Sequence, residues 1–429
     1  MFTPNNNIII VDNQREHLER LSKVFRNKGI GCRELEYDSF YDEPLTGIRL
    51  AFFDINLDDL GGNNDAQIFN VLSNAINIYV HPDNGPYALI FWTSNSGLVD
   101  RFKAYVQRRK RDLVRPFLVS FIDKDEFLDN EADLESKLQE IIGTGVVKLL
   151  MDFQKIASLS AMDTVNQIFS IIPSNDNWGN STDFILNFDK VFSDVATRTF
   201  GFDHAKENPD RAIYEALIPL INYQMLKRSN QQWGDALSVL RNAQNLDGIT
   251  SPPGFKRSLL NTIFHIENEQ PLKNVRGCVV RLDKRRKMFN CSFLEFVNRV
   301  VPYNKHENFL VEMNKSISQS VLIGIELSSS CDYQQNKNRL NKYLCGIIIP
   351  KRKAPKLIHS KYAEYILQVG TFTWKNSEVE IWVNLNYLFG AVMEDRKLGN
   401  SLFLLKKEIM DMIGNKYANH VSRIGITSF

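Results

Sequence analysis

The sequence predicts an α/β N-terminal domain on a doubly wound, five-stranded parallel sheet, then a helical middle and a β-rich α+β C-terminal domain. Three observations carry this. Short β-branched or aromatic runs alternate with 3.6-period stretches through the first 145 residues, the pattern of repeated strand and helix. Helical spacing then continues without such runs to about residue 270. From Pro271 the pattern turns to alternation, as strands with one buried face require. The expected domains are 1–145, 146–270 and 271–429.

In the first domain, Asn7 to Val11 (NIIIV) reads as a strand buried on both faces and ends at Asp12-Asn13. Glu16 to Asn27 spaces Leu18, Leu21 and Phe25 helically, with Gly29 and Gly31 after it. Cys32 to Tyr37 is a second strand; the helix expected after it has the faintest pattern of the series. Arg49 to Phe53 is a third, ending on Asp54 and opening into an acidic loop. A helix over Ala66 to Val80 leads to the strand Ala88 to Trp92, which ends at Thr93-Ser94. Leu98 to Lys110 is helical, Phe117 to Ile122 is the fifth strand with Asp123-Lys124 behind it, and Leu134 to Ile142 is the last helix.

In the middle, Val146 to Ile172 keeps helical spacing over a length near that of an extended connector helix. Ser181 to Arg198, Asp210 to Arg228, Gln231 to Gln244 and Phe255 to Asn268 are further helices, the second with Pro219 inside it. No helix-turn-helix pattern stands out, and His204 and His265 read as structural or surface histidines. The region reads as a platform that transmits or oligomerises. In the last domain Gly277 to Leu282, Ser320 to Ser328 and Tyr343 to Pro350 are strands. Tyr362 to Trp374 and Glu378 to Val383 form a hairpin, and Leu402 to Ala418 is an amphipathic helix. A small curved sheet or barrel closed by that helix is expected.

Hydrophobic residues at 43% and charged residues at 24% are ordinary globular composition. No apolar run approaches the roughly 18 residues of a membrane span, and the N-terminus lacks the basic region of a secretory signal. The 5 cysteines form no CxxC pair, so a cytoplasmic protein with reduced thiols is expected. The net charge of +2 conceals an asymmetry: residues 1–145 carry 16 basic against 23 acidic residues, whereas Lys273 to Lys361 holds 18 against 6. An acidic front and a basic back suit mutual attraction, or a back half that meets a polyanion.

The strand ends of the first domain carry, in order, Asp12-Asn13, Asp54, Thr93 and Lys124. This resembles the receiver domain of bacterial response regulators, over about a third of the chain. The resemblance implies Asp54 as phosphoacceptor, with Mg²⁺ held by Asp12, Asp54 and the carbonyl of Asn56 and with Asn13 at the position of the second acid. Thr93 and Lys124 would face the phosphoryl group. A carboxylate attacks phosphorus only where incoming negative charge is neutralised, which a hard cation and an ammonium can do. Several residues depart from the family: Asn13 replaces an acid, Asp125 stands where a proline usually follows the lysine, Trp92 adds bulk beside Thr93, and Gly61 to Pro86 is long. In this the domain also resembles the partly degenerate receivers of bacterial conflict and antiphage systems. With one acid missing, Mg²⁺ should bind weakly and Lys124 should partly substitute for it. Two readings follow, a working phosphoacceptor and a docking or sensing surface.

A second candidate lies in Glu326 to Tyr333, ELSSSCDY. It loosely resembles a Ser-rich strand ending in Cys-Asp found in uncharacterised bacterial defence-associated domains. Cys331, with Asp332, is a candidate nucleophile or ligand, with a base sought among His306, His359 and His420. The plain alternative is a small half-buried hydrophobe before a turn. Basic clusters at Arg281, Lys284, Arg285, Arg286 and Lys287, and at Lys351, Arg352 and Lys353, suit nucleic acid, docking onto the acidic domain, or solvated turns. No HExxH, DxD or GxSxG occurs in residues 271–429, which favours a non-enzymatic reading. The expected protein is a bacterial signalling or regulatory protein of stress response or antiphage defence. Its receiver-like input domain controls a C-terminal output or partner-binding domain. The expected partner is a protein, a kinase or an effector, with no membrane involved and oligomerisation through the helical region. The alternatives are an effector enzyme (nuclease or hydrolase) gated by the first domain, or a nucleic-acid-binding regulator.

Overall fold

The structure is a computed structural model that describes residues 7–58, 64–109, 112–127, 131–142, 145–173, 181–228, 232–245, 249, 251–267, 271–283, 319–328, 340–353 and 365–422. The chain divides into two compact units, Met1–Ile171 with Pro219–Ile249, and Ile172–Ile218 with Thr250–Phe429. The helices of the middle region are shared between them, the chain passing from one unit to the other after Ile171, Ile218 and Ile249.

The first unit contains β1 (Ile8–Asp12), α1 (Arg15–Asn27), β2 (Arg33–Glu36), β3 (Leu50–Phe53), α2 (Asp65–Tyr79), β4 (Ala88–Thr93), α3 (Gly97–Arg109), β5 (Leu118–Asp123), a single turn α4 (Lys124–Phe127), α5 (Glu131–Ile142) and α6 (Gly145–Ser170). The five strands pair in the order β2-β1-β3-β4-β5, all in parallel. The doubly wound sheet expected from the sequence is therefore present. The central strands β1, β3 and β4 are buried throughout because successive residues serve opposite cores, whereas the edge strands β2 (RELE) and β5 are only partly buried. Ile9, Val11, Ala51, Phe53, Leu89 and Phe91 pack against α2 and α3 through Phe69, Leu72, Ile76 and Phe102. Ile8, Ile10, Phe52, Ile90 and Trp92 meet α1 and α5 through Leu21, Phe25, Leu134 and Leu138. The helix α2 starts where it does because Asn64 and Gln67 form a reciprocal capping box at 3.1 Å each way.

The faint helix between β2 and β3 does not form; residues 37–49 run as turns with one bridge from Leu45 to Val80. Aromatic packing covers that part of the sheet instead. Tyr41 lies 4.8 Å from Tyr79, ring centre to ring centre, and the Tyr79 hydroxyl accepts the Asp38 N–H at 2.8 Å.

The remaining helices are α7 (Ser181–Phe200), α8 (Phe202–Glu207), α9 (Pro209–Arg228), α10 (Gln232–Ala236), α11 (Ser238–Asn242) and α12 (Arg257–His265). The single helix expected over Gln231 to Gln244 is broken at Leu237, whose φ of −90° and ψ of 57° are non-helical, shortly after the weak helix former Gly234. The strands β6 (Ile266–Glu267), β7 (Cys278–Leu282), β8 (Val321–Glu326), β9 (Asn341–Pro350), β10 (Ile366–Trp374), β11 (Ser377–Ala391) and β12 (Leu398–Leu405) precede α13 (Lys407–Val421). They form one antiparallel sheet in the order β10-β11-β9-β8-β7-β12-β6. The α+β character expected of this region is observed, as a curled sheet with α13 packed on one face and α12 lying along the edge strand β10 and leading into β6 at the other edge.

Three boundaries differ from expectation, the first being the strand expected over Glu378 to Val383, which runs on to Ala391 as β11. Phe255 to Asn268 becomes α12 followed by β6, and Leu402 to Leu405 belongs to β12 rather than to the terminal helix. In that segment Phe403 and Leu405 are buried while their neighbours are half-buried, so pairing with β7 and β6 outweighs the helical spacing. The expected hairpin is present: Trp374 pairs with Ser377 across Lys375 and Asn376. Both turn residues have positive φ, 48° and 59°, as a two-residue hairpin turn demands.

Candidate functional site

The order β2-β1-β3-β4-β5 reverses direction at β1. A doubly wound sheet opens a crevice at the C-terminal ends of its strands beside such a reversal. Asp12 closes β1, Asp54 follows β3, Thr93 closes β4 and Lys124 follows β5, so the four residues singled out from the sequence reach one end of one sheet. The Asp54 N–H donates to the Val11 carbonyl at 3.0 Å, which carries the β1–β3 ladder one residue further and sets the two acids abreast.

The charged groups converge. The Lys124 ammonium lies 2.7 Å from Asp12 Oδ2 and 2.9 Å from Asp54 Oδ2. It also lies 3.1 Å from His17 Nδ1, and that ring nitrogen is 3.5 Å from Asp12 Oδ1. Asp12 is 0% exposed, Asp54 6% and Lys124 4%, so water contributes little to their solvation and the ammonium supplies what compensation there is. Burial pushes the Asp54 carboxyl above the usual carboxylate range; Lys124 pulls it back, and the neighbouring Asp12 pushes it up again. Two buried carboxylates share one ammonium.

The flanking residues are held by the backbone. Thr93 is fully buried, and its Oγ1 accepts the Asn95 N–H at 3.1 Å. Asn13 is half-buried beside Asp12, and Asn56 is exposed, its N–H donating to Asp54 Oδ1 at 3.3 Å. Asp125, where a proline was expected from the family pattern, accepts the Ser94 hydroxyl at 2.7 Å and so ties the ends of β4 and β5 together. His17 carried no motif in the sequence. Its only signal is position, in the opening turns of the helix that follows the acid-bearing strand.

The Mg²⁺ implied by the receiver resemblance can be tested against these donors. Both Oδ2 atoms are occupied by the ammonium. Asp12 Oδ1 accepts the Gln14 N–H at 2.9 Å, and Asp54 Oδ1 accepts the Asn56 N–H. A small cation that demands near-octahedral oxygen ligands does not fit these residues as arranged; Lys124 would first have to withdraw. Among the described residues no group of three or more His, Cys, Asp or Glu side chains is arranged to hold a metal ion.

The C-terminal candidates do not assemble. Cys331 and Asp332 lie outside the described residues, as do His306 and His359. His420, near the end of α13, is committed through Nε2 to Asn386 Oδ1 at 2.7 Å. Burial pushes the Cys278 thiol up to about 12 and that of Cys32 to about 11, and it raises Cys345 further still; these thiols stay protonated at neutral pH. Of the basic clusters, Arg281 is exposed on β7, whereas Lys284, Arg285, Arg286 and Lys287 lie outside the described residues. Lys351, Arg352 and Lys353 make one 3-10 turn after β9. There Lys351 pairs with Glu378 at 3.4 Å and Arg352 donates to Gln319 at 3.4 Å. Among the described residues no helix is long and apolar enough to cross a membrane.

The first unit is a receiver-like α/β domain in architecture. No protein-family model matches the chain, and no curated protein matches it.

Proposed function

We propose that this is a regulatory protein in which a receiver-like domain controls the C-terminal β-rich domain or a protein partner. In this reading the acidic pocket serves as a docking or sensing element whose resting state is set by Lys124. The observation that carries the reading is the ammonium seated within 2.9 Å of both carboxylates in a closed pocket. A cation that is part of the chain needs no ion from solution, and it leaves the Asp54 oxygens engaged rather than free to attack phosphorus. The shortage of negative charge created by Asn13 points the same way, because Mg²⁺ affinity rests largely on carboxylate number. A place in bacterial stress response or antiphage defence is part of the proposal and rests on the family resemblance alone.

The test is incubation of the full chain with acetyl phosphate, with and without Mg²⁺, followed by intact-mass measurement. Slow or absent labelling is expected, with Asp54→Asn retaining whatever partner binding the wild type shows. Rapid, stoichiometric, Mg²⁺-dependent labelling that disappears in Asp54→Asn would overturn the proposal and make the domain a conventional phosphoacceptor.

A further inference from the structure

The second half of α3 leaves a cavity of about 330 Å³ between itself and the parallel sheet. Phe102 pins the first half, its ring meeting Phe69 at 5.6 Å and Phe91 at 5.5 Å, edge to face. One turn on, Val106 is only half-buried, and the space beneath it is floored by Leu89 of β4 and Val119 of β5. The remaining wall is the segment 113–116 that leads into β5. Tyr87 holds this wall in place: its hydroxyl donates to the Val114 carbonyl at 2.8 Å, and its own carbonyl accepts the Phe117 N–H at 3.0 Å. The cavity is therefore built into the resting fold. Leu89 and Val119 each stand second in their strands, so it lies toward the N-terminal ends, away from the crevice that holds Asp54. A domain interior is ordinarily packed as densely as an organic crystal, with few voids larger than a water. An apolar cavity of about 150 Å³ takes up benzene, so this one has room for roughly twelve non-hydrogen atoms, at the lower end of the range of small-molecule sites.

The charged groups at the cavity are both cations. Arg115 lines it, is exposed, and makes no hydrogen bond or ion pair among the described residues. Lys103 also lines it, and its partner Asp100, at 3.1 Å, is 91% exposed; a surface pair of that kind contributes little. The surroundings have the same sign. Residues 101–115 carry 7 basic residues and 1 acidic residue, inside a domain that carries 16 against 23. A polyanion such as nucleic acid would meet these charges and leave the apolar space empty, whereas a neutral hydrophobe would fill the space and leave Arg115 unused. We infer that the cavity binds a small amphiphilic anion, an apolar body of about ten carbon atoms ending in a carboxylate. The apolar part lies between Val106 and Val119, and the carboxylate pairs with the Arg115 guanidinium. The arginine fork suits this task because it offers a carboxylate two parallel N–H groups. The inference goes beyond the reading of the acidic pocket and does not depend on whether Asp54 accepts phosphate.

The experiment is calorimetric titration of the full chain with decanoate, decanol and acetate, each as monomer, and with phosphatidylglycerol vesicles. Decanoate should bind once per chain with a Kd of about 100 μM or tighter and raise the thermal midpoint. Decanol should bind about tenfold more weakly, lacking the charge-assisted pair, and acetate should not bind at about 10 mM because it brings no apolar body. Arg115→Ala should weaken decanoate about tenfold and leave decanol unchanged. Val106→Trp from the helix side and Val119→Phe from the sheet side fill the cavity, and each should weaken both ligands at least about tenfold. Far-ultraviolet dichroism of the three variants should match wild type, since none of these side chains is buried. If a filled variant fails to fold, the contrast between decanoate and decanol in Arg115→Ala still decides. A wild type that takes up no decanoate overturns the inference, and so does one that binds the vesicles alone, which would make this a membrane-facing surface. Decanoate binding that survives both filled variants places the ligand on another apolar face and overturns it as well. Equal affinity for decanoate and decanol, or an Arg115→Ala protein that keeps the wild-type preference, does the same.

Discussion

Lys124 has two tasks, because its one ammonium is the neutralising partner of two buried carboxylates. Removing it leaves both acids without a counter-charge in a site that water hardly reaches. Lys124→Ala should therefore cost about 3–5 kcal/mol of stability, as breaking a buried pair from one side does, read from chemical denaturation followed by tryptophan fluorescence. Asp54→Asn acts in the opposite sense. It removes the surplus negative charge while Lys124 keeps Asp12, so it should stabilise the fold at neutral pH by about 1 kcal/mol. The pH dependence follows from the raised Asp54 carboxyl. The folded state holds that proton more tightly than the unfolded chain, so wild type loses stability as pH rises from the ordinary carboxylate value through the raised one. Below both values the Asp54 contribution is fully present. The advantage of Asp54→Asn should thus shrink on acidification from about pH 7 to about pH 4, as measured by the difference in denaturation midpoint between the two proteins. A constant difference across that range would mean that Asp54 is not the titrating group.

At the scale of elements, the central strands of the parallel sheet were legible because uninterrupted apolar runs such as Ala88–Thr93 have few other uses in a soluble chain. The segment Leu402–Leu405 was not legible. Leu402, Leu405 and Ile409 satisfy a helical period as well as Phe403 and Leu405 satisfy a strand period. Only the neighbouring strands β7 and β6 decide between the two. Gly277 shows the same dependence on a distant neighbour. Its φ of +89° and a Cβ position 2.4 Å from the Leu405 carbonyl oxygen leave no room for a side chain where it passes β12. Gly277→Ala should destabilise the C-terminal unit by about 2 kcal/mol or more, seen as a lower thermal midpoint. An unchanged midpoint would show that the approach to Leu405 relaxes freely.

For the whole molecule, the charge split suggests an affinity that no single residue states. Lys273 to Lys361 carries 18 basic and 6 acidic residues, and Arg281, Lys351 and Arg352 are exposed among those described. If this region meets a polyanion, single-stranded nucleic acid should bind at about 50 mM salt and be largely released by about 200 mM, through counterion release. Fluorescence anisotropy at the two salt concentrations reads this directly. Binding that ignores salt, or no binding at the lower concentration, would leave the clusters as solvated turns. Lys351 is already partnered with Glu378, so Lys351→Gln should change the salt slope less than Arg281→Gln.

By itself the sequence determined the class of the first domain, the order of its strands along the chain, and the identity of Asp12, Asp54, Thr93 and Lys124 as strand-end residues. Those features follow from local periodicity and from which residue ends each apolar run. The tertiary structure alone decided that Lys124 takes both carboxylates at once and that His17 joins them. It also decided that α12 turns its polar side inward. Each of these depends on groups far apart in sequence, such as Lys124 and Asp12 or Asn261 and Thr371. A buried charge takes whatever counter-charge the fold brings within reach, and a helix turns whichever face its neighbours can satisfy. Periodicity within one element contains neither quantity.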